Sequence, residues 1–266
     1  MKTARILVIL LILFLLMTFY PVFSFLLGRS PIWIITPLTT LLGFSIALIH
    51  ASQRYGWMRA VLFLGSVFVI SLAFESIGVA TGLVYGPYHY TLKLGPLFLG
   101  LVPWLIPVAW FMMSYPSLVM ADWLVPASSS RWLRRLSVSA VGALVMTAWD
   151  TVMDPVMVAG GHWIWDVKGA YYGIPLHNYL GWGLTVFVSF LVFLSLSGEG
   201  GISIQPSFDR LVIFSYSITA AGVISVALIA GMGGPALTGF FAMLPWILLS
   251  RVRMAYRTDP ACQPLS

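Results

Sequence analysis

The chain has 266 residues, of which 60% are hydrophobic and 8% charged, with a mean hydropathy of +0.96 and a formal net charge of +6. That composition excludes an ordinary soluble domain. The single cysteine, Cys262, excludes a disulfide framework or a cysteine-built metal site.

Apolar runs of about 20 residues, the length a spanning helix needs, recur along the chain. They predict an all-α, polytopic membrane helix bundle with eight spans: 6–27, 32–50, 60–84, 97–121, 133–153, 180–197, 211–231 and 234–250. Residues 1–250 form one transmembrane domain, followed by a short, disordered-looking tail over 251–266. The first run follows Lys2 and Arg5 as a secretory leader would. It is longer than a leader core, however, and runs into "FYPVFSFLLG" without a small-x-small cleavage site, so a retained helix is expected. With the N-terminus inside, the inner segments hold 11 of the 14 basic residues, and the outer loops hold only Arg29, Lys93 and Lys168. Both termini are therefore expected to be cytoplasmic, in a multi-pass protein of the cell membrane. A reporter fused after Ser266 should be cytoplasmic. The basic pI reflects this topology and implies no nucleic-acid partner, since Arg131, Arg134 and Arg135 fit a membrane anchor.

The third span enters from inside near Ala60 and carries Glu75 roughly 22 Å along, at ~1.5 Å per residue. The fifth enters near Leu136 and carries Asp150 at a similar depth, with Asp154 one turn further on the same face. Pro155 should end that helix. Two stripes, Ser71-Glu75-Gly78-Gly82 and Ala143-Met146-Thr147-Asp150-Asp154, suit close packing inside the bundle. A carboxylate facing lipid would cost about 2.5–3.5 kcal/mol even on the most lenient scale, so these acids should face inward. Asp122, Asp209, Glu199 and Asp259 read as solvated, and Asp166 either as catalytic or as a wet loop residue paired with Lys168.

Two outer loops, "YGPYHYTLKLGP" at 85–96 and 154–179, are dense in Tyr, Trp, Gly, Pro and His. An interfacial aromatic belt explains some of this, but not the accompanying Gly, Pro, His and Asp. Loop 154–179 re-enters the membrane only if protein covers its backbone. The pattern predicts a polar pocket toward the outer leaflet, built from spans three and five and capped by aromatic loops. Metal is not expected, because no His-x-x-x-His or Glu-x-x-His spacing accompanies His89, His162 and His177.

Burial favours the neutral carboxyl, so an acid in such a pocket can donate a proton at neutral pH. Aromatic faces attract cations. Acid, aromatics and a second carboxylate to activate water suit hydration of an alkene; excluding water would give a cyclase. The Asp-x-x-x-Asp of "DTVMD" also matches half of an intramembrane prenyltransferase motif, but no second motif follows. A transporter is the non-enzyme alternative, which bundle-facing acids in the inner half would favour. A binding protein without activity is another.

The segments "FESIGVATGLVYGPYHYT", "LGPLFLGLVPWLIPVAWFMMSYPS" and "AWDTVMDPVMVAGGHWIWDVKGAYYGIPLHNYLGW", with the Arg-bearing C-terminal end, resemble the carotenoid-biosynthesis integral membrane family over roughly residues 30–255. Its known members are carotenoid hydratases, of the γ-carotene 1′-hydratase and bisanhydrobacterioruberin hydratase types. The resemblance implies addition of water to the terminal double bond of an acyclic ψ-end group, with no cofactor. It also implies a lipophilic carotenoid substrate, lipid surroundings and other enzymes of the pathway as partners. Glu75, Asp150 and Asp154 are the candidate catalytic groups. Tyr85, Tyr88, His89, Trp163, Trp165, His177 and Asn178 are the candidate substrate-binding residues.

Overall fold

In the computed structural model, which describes residues 2–197 and 206–258, the apolar runs become eight helices. They are α1 (Lys2–Leu26), α2 (Ile35–Tyr55), α3 (Trp57–Thr81), α4 (Leu105–Leu124), α5 (Arg131–Ala159), α6 (Leu176–Leu196), α7 (Pro206–Ile229) and α8 (Gly233–Thr258). All eight are long and apolar enough to cross a membrane. Glu199, Asp259, Cys262 and most of the expected tail lie outside the described residues. The helix α8 nevertheless continues past the predicted boundary, through residues 251–258.

The helix α4 is the axis of the bundle, packing against α2, α3, α5, α7 and α8. Most of its residues are buried, Ser114, Ser117 and Asp122 among them, as on a helix enclosed by neighbours. At one end of the bundle the helices are joined by structured loops, which form a lid. Strand β1 (Tyr88–Tyr90) pairs antiparallel with β4 (Trp163–Trp165), so that Tyr88 faces Trp165 and Tyr90 faces Trp163. A smaller hairpin joins β2 (Leu97–Phe98) to β3 (Val102–Pro103). These residues occupy the first part of the predicted fourth span, which therefore starts at Leu105. The backbone of the predicted re-entrant loop is satisfied by β4 and by turn contacts between Gly169–Gly173 and Tyr171–Ile174.

Pro155 does not end α5; the helix runs on to Ala159. A proline inside a helix removes the N–H that would bond the carbonyl four residues back, here Thr151. The Tyr171 hydroxyl donates to that carbonyl instead, at 2.9 Å. Replacing Tyr171 by Phe should strand it and cost about 0.5–1.5 kcal/mol, read as a lowered Tm of the purified protein in detergent.

Candidate active site

Glu75 sits less than two turns from the lid end of α3, and Asp154 less than two turns from the lid end of α5. Both are buried and both line one chamber of about 140 Å³ beneath the β1–β4 lid. That volume holds several waters or a small branched hydrocarbon end, not a whole long-chain molecule.

Three donors from three elements converge on Glu75. Trp110 Nε1 on α4 donates to Oε1 at 2.9 Å, and the Tyr90 hydroxyl donates to Oε2 at 2.8 Å, alongside the Tyr88 hydroxyl. Burial, and after it the neighbouring Glu75 carboxyl, holds both lid phenols above their ordinary range, so they act as donors. Asp154 accepts from Trp163 Nε1 at 2.6 Å and from Asn178 Nδ2 at 2.8 Å. The same Asn178 nitrogen donates to Asp150 Oδ2 at 2.9 Å. One amide at the start of α6 thus ties together two carboxyls a turn apart on α5, each needing a donor to be tolerated in the interior. Asp150 is wholly buried behind Asp154 and does not line the chamber, and its Oδ1 has no hydrogen-bond partner among the described residues.

The aromatic walls follow from local rules. Side chains alternate across a strand, so Tyr88, Tyr90, Trp163 and Trp165 point into the chamber, while His89 and Ile164 point out. His89 is accordingly half exposed and hydrogen-bonds Asp166 at 2.8 Å. Asp166 is thus a wet loop residue on the outside of the lid, as the second reading has it, but its partner is His89, not Lys168. His177 is also exposed and does not line the chamber. Its neighbour Asn178 takes the inward position, because α6 buries only one face. His162 is half-buried, with burial pushing its imidazole below the ordinary value, and Nδ1 lies 3.2 Å from the Met157 carbonyl near the end of α5. Tyr85 lies in the chamber wall and hydrogen-bonds Thr185 at 2.7 Å. It fits because Gly78 and Gly181 lack side chains; a Cβ on either would come within 2.7 Å of its ring. The small stripe on α3 therefore makes room for a lid tyrosine as much as for another helix.

Four aromatic residues of the chamber were not foreseen. Tyr90 supplies a donor, Trp110 both a donor and a ring, and Trp182 stacks on Trp110 at 4.2 Å with Trp149 edge-on to it. Only two left a signal: Trp110 falls mid-span in the 97–121 run, far from either interfacial belt, and "YHY" alternates as a strand does.

At the opposite end of the bundle, Asp122 and Asp209 are not solvated. They are 5% and 0% exposed and face Arg54, itself 2% exposed. Arg54 Nη2 bonds Asp122 at 2.8 Å and Nε bonds Asp209 at 3.1 Å, while Arg134 also reaches Asp122. His50 Nε2 lies 3.8 Å from Asp209, and Trp123 Nε1 donates to it at 2.9 Å. Short side chains at the ends of α4 and α7 meet a long arginine on α2 that reaches inward. Both acids do face the bundle, the feature that would favour transport, but each is locked against a guanidinium. They form a charge-neutral clasp joining α2, α4, α5 and α7.

Residues 35–245 match the family described as carotenoid biosynthesis protein. The chain belongs to that family. Over 136 residues it is 38% identical to a bisanhydrobacterioruberin hydratase from Haloarcula japonica. The match covers 51% of this chain and 45% of that protein, so the chain spans less than half the length of this curated relative. No solved structure matches it significantly. The multi-pass membrane architecture and the carotenoid-biosynthesis family thus stand together, and the matched region contains every residue of the chamber.

Proposed function

We propose that this protein is a carotenoid hydratase, adding water to the terminal double bond of an acyclic ψ-end group to give a tertiary alcohol, without a cofactor. What supports this most is one chamber in which carboxyls from α3 and α5 face an aromatic wall. The hydratase relative agrees with it.

In this reading Asp154, which borders the chamber, gives its proton to the less substituted alkene carbon. The π bond breaks, a C–H bond forms, and a tertiary cation remains. Trp110, Trp163, Trp165 and Trp182 surround that cation with π faces. Water adds to the cation, forming the C–O bond, and its surplus proton passes to a carboxylate. Glu75, held by three donors, orients the water and balances the cation. Asp150 acts through Asn178 as a positioning residue that keeps Asp154 aimed at the chamber. The lid would face outside the cell, with both termini in the cytoplasm.

Membranes containing the protein, supplied with an acyclic carotenoid in ¹⁸O-water, should yield a product heavier by one labelled water. An isomer of unchanged mass with a shifted absorption band would instead mean cyclisation, and would overturn the hydratase reading.

A further inference from the structure

A groove of about 1300 Å³ runs beside the small chamber, bounded by α1, α2, α4, α5 and α7. The two spaces share Thr36, Thr40, Leu105, Met112, Trp149 and Met153 among other lining residues, so they adjoin at one wall. The groove is confined to the lid half of the bundle: its α1 lining begins at Phe14, its α5 lining at Trp149 and its α7 lining at Thr219. From Phe14 to Phe25 along α1 is roughly 16 Å at ~1.5 Å per residue. Its rim is formed by the α1–α2 connection, Lys93–Pro96 and Met232, with Lys93 Nζ fixed on the Gly160 carbonyl at 2.6 Å.

We propose that this groove is the binding site for the conjugated chain of the substrate, threading one end group into the carboxylate chamber. The assignment rests on the hydratase reading and extends it from the reacting end to the rest of the molecule. The sizes require something of this kind, because a chamber of about 140 Å³ admits an end group only. The walls select among lipophilic occupants. They carry rings and prolines, including Phe14, Trp33, Trp104 and the rigid Pro21, Pro31 and Pro37, interleaved with methionines that adapt to a contour. A stiff cleft exacts an ordering cost from each rotatable bond it immobilises. A saturated acyl chain bears that cost at every bond, whereas a conjugated polyene has few such rotors to lose. The groove thus favours a rigid polyene over the lipid tails around it.

The consequence is a chain-length preference that resides in the groove and not in the chamber. Val108 on α4 and Val226 on α7 line the groove and not the chamber, and both are half-buried. Val108→Trp and Val226→Trp should each obstruct it. The purified full chain in lipid nanodiscs would be given an acyclic C40 polyene and, separately, a short acyclic terpene with the same isopropylidene end. Hydration is read by mass, and occupancy by the induced circular dichroism of the polyene band. The wild type should favour the long substrate, and each tryptophan should lower the long-to-short ratio of kcat/KM by about tenfold or more, together with the induced signal. Two variants on different helices guard against one failing to fold. A ratio and dichroism unchanged in both variants would overturn the groove assignment, as would equal losses on both substrates. Dichroism that is lost in the variants, in a protein that hydrates neither substrate, would keep the groove and reject the hydratase.

Discussion

Asp154→Asn is expected to abolish hydration while leaving a folded, polyene-binding protein. Of the three buried acids on α3 and α5, Glu75 and Asp154 line the chamber, and Asp150 is screened behind Asp154. Glu75 accepts from three donors, Tyr88, Tyr90 and Trp110, and Asp154 from two, so Asp154 is the proton donor in this reading. A general acid contributes about 10²–10⁴ in rate, and an amide cannot replace it. Asparagine is nearly isosteric and can still accept from Trp163 or Asn178, though not from both, since its NH₂ would then meet a donor. The expected cost to folding is about 1–3 kcal/mol, and bound polyene in the same sample separates it from the kinetic loss. The measurement is labelled-water incorporation with the induced dichroism of the bound polyene in the same sample. Full incorporation in Asp154→Asn would reject Asp154 as the acid. Asp150→Asn should be milder, slowing turnover without altering polyene binding, because Asp150 acts only through Asn178.

The largest effect on stability is expected from the opposite end of the molecule. Arg54→Met should lower stability by about 3–5 kcal/mol, the usual consequence of removing one partner from a buried ion pair. Asp122 would keep Arg134, but Asp209 would be left with the Trp123 N–H and a histidine ring. The penalty should therefore be specific to Asp209. The double variant Arg54→Met with Asp209→Asn should recover much of the loss, whereas Arg54→Met with Asp122→Asn should recover little. Thermal unfolding of the wild type, the three single variants and the two doubles, arranged as two double-mutant cycles, tests this. Equal recovery in both doubles would refute the assignment of Arg54 chiefly to Asp209.

How much of this was legible beforehand differs between the two ends. At the lid end, the depth of Glu75, Asp150 and Asp154 followed from helix rise, because a spanning helix converts residue number into height. Their inward direction followed from the cost of placing a carboxylate in lipid. At the clasp end, Asp122 and Asp209 stood beside basic residues near helix ends, and a solvated pair there has the same sequence pattern as a buried one. What separates them is whether the long Arg54 side chain turns inward, which depends on helices far apart in the chain.

Hydropathy determined the number of spans and the membrane class, and the placing of acids and aromatic loops along them the presence of an acid-bearing, aromatic-capped pocket, since each follows from a local balance between side chains and apolar surroundings. Only the tertiary structure decided which residues enter that pocket. Local pattern marked His89 and His177 as equal to Tyr88 and Asn178, but pairing of β1 with β4 turns His89 outward, and the buried face of α6 takes Asn178. Pro155 read as a helix end until Tyr171, sixteen residues on, supplied the donor that the Thr151 carbonyl needed. Trp110, Trp149 and Trp182 meet from three helices across the bundle. Such contacts depend on the register between distant segments, which packing sets and no single stretch of the chain records.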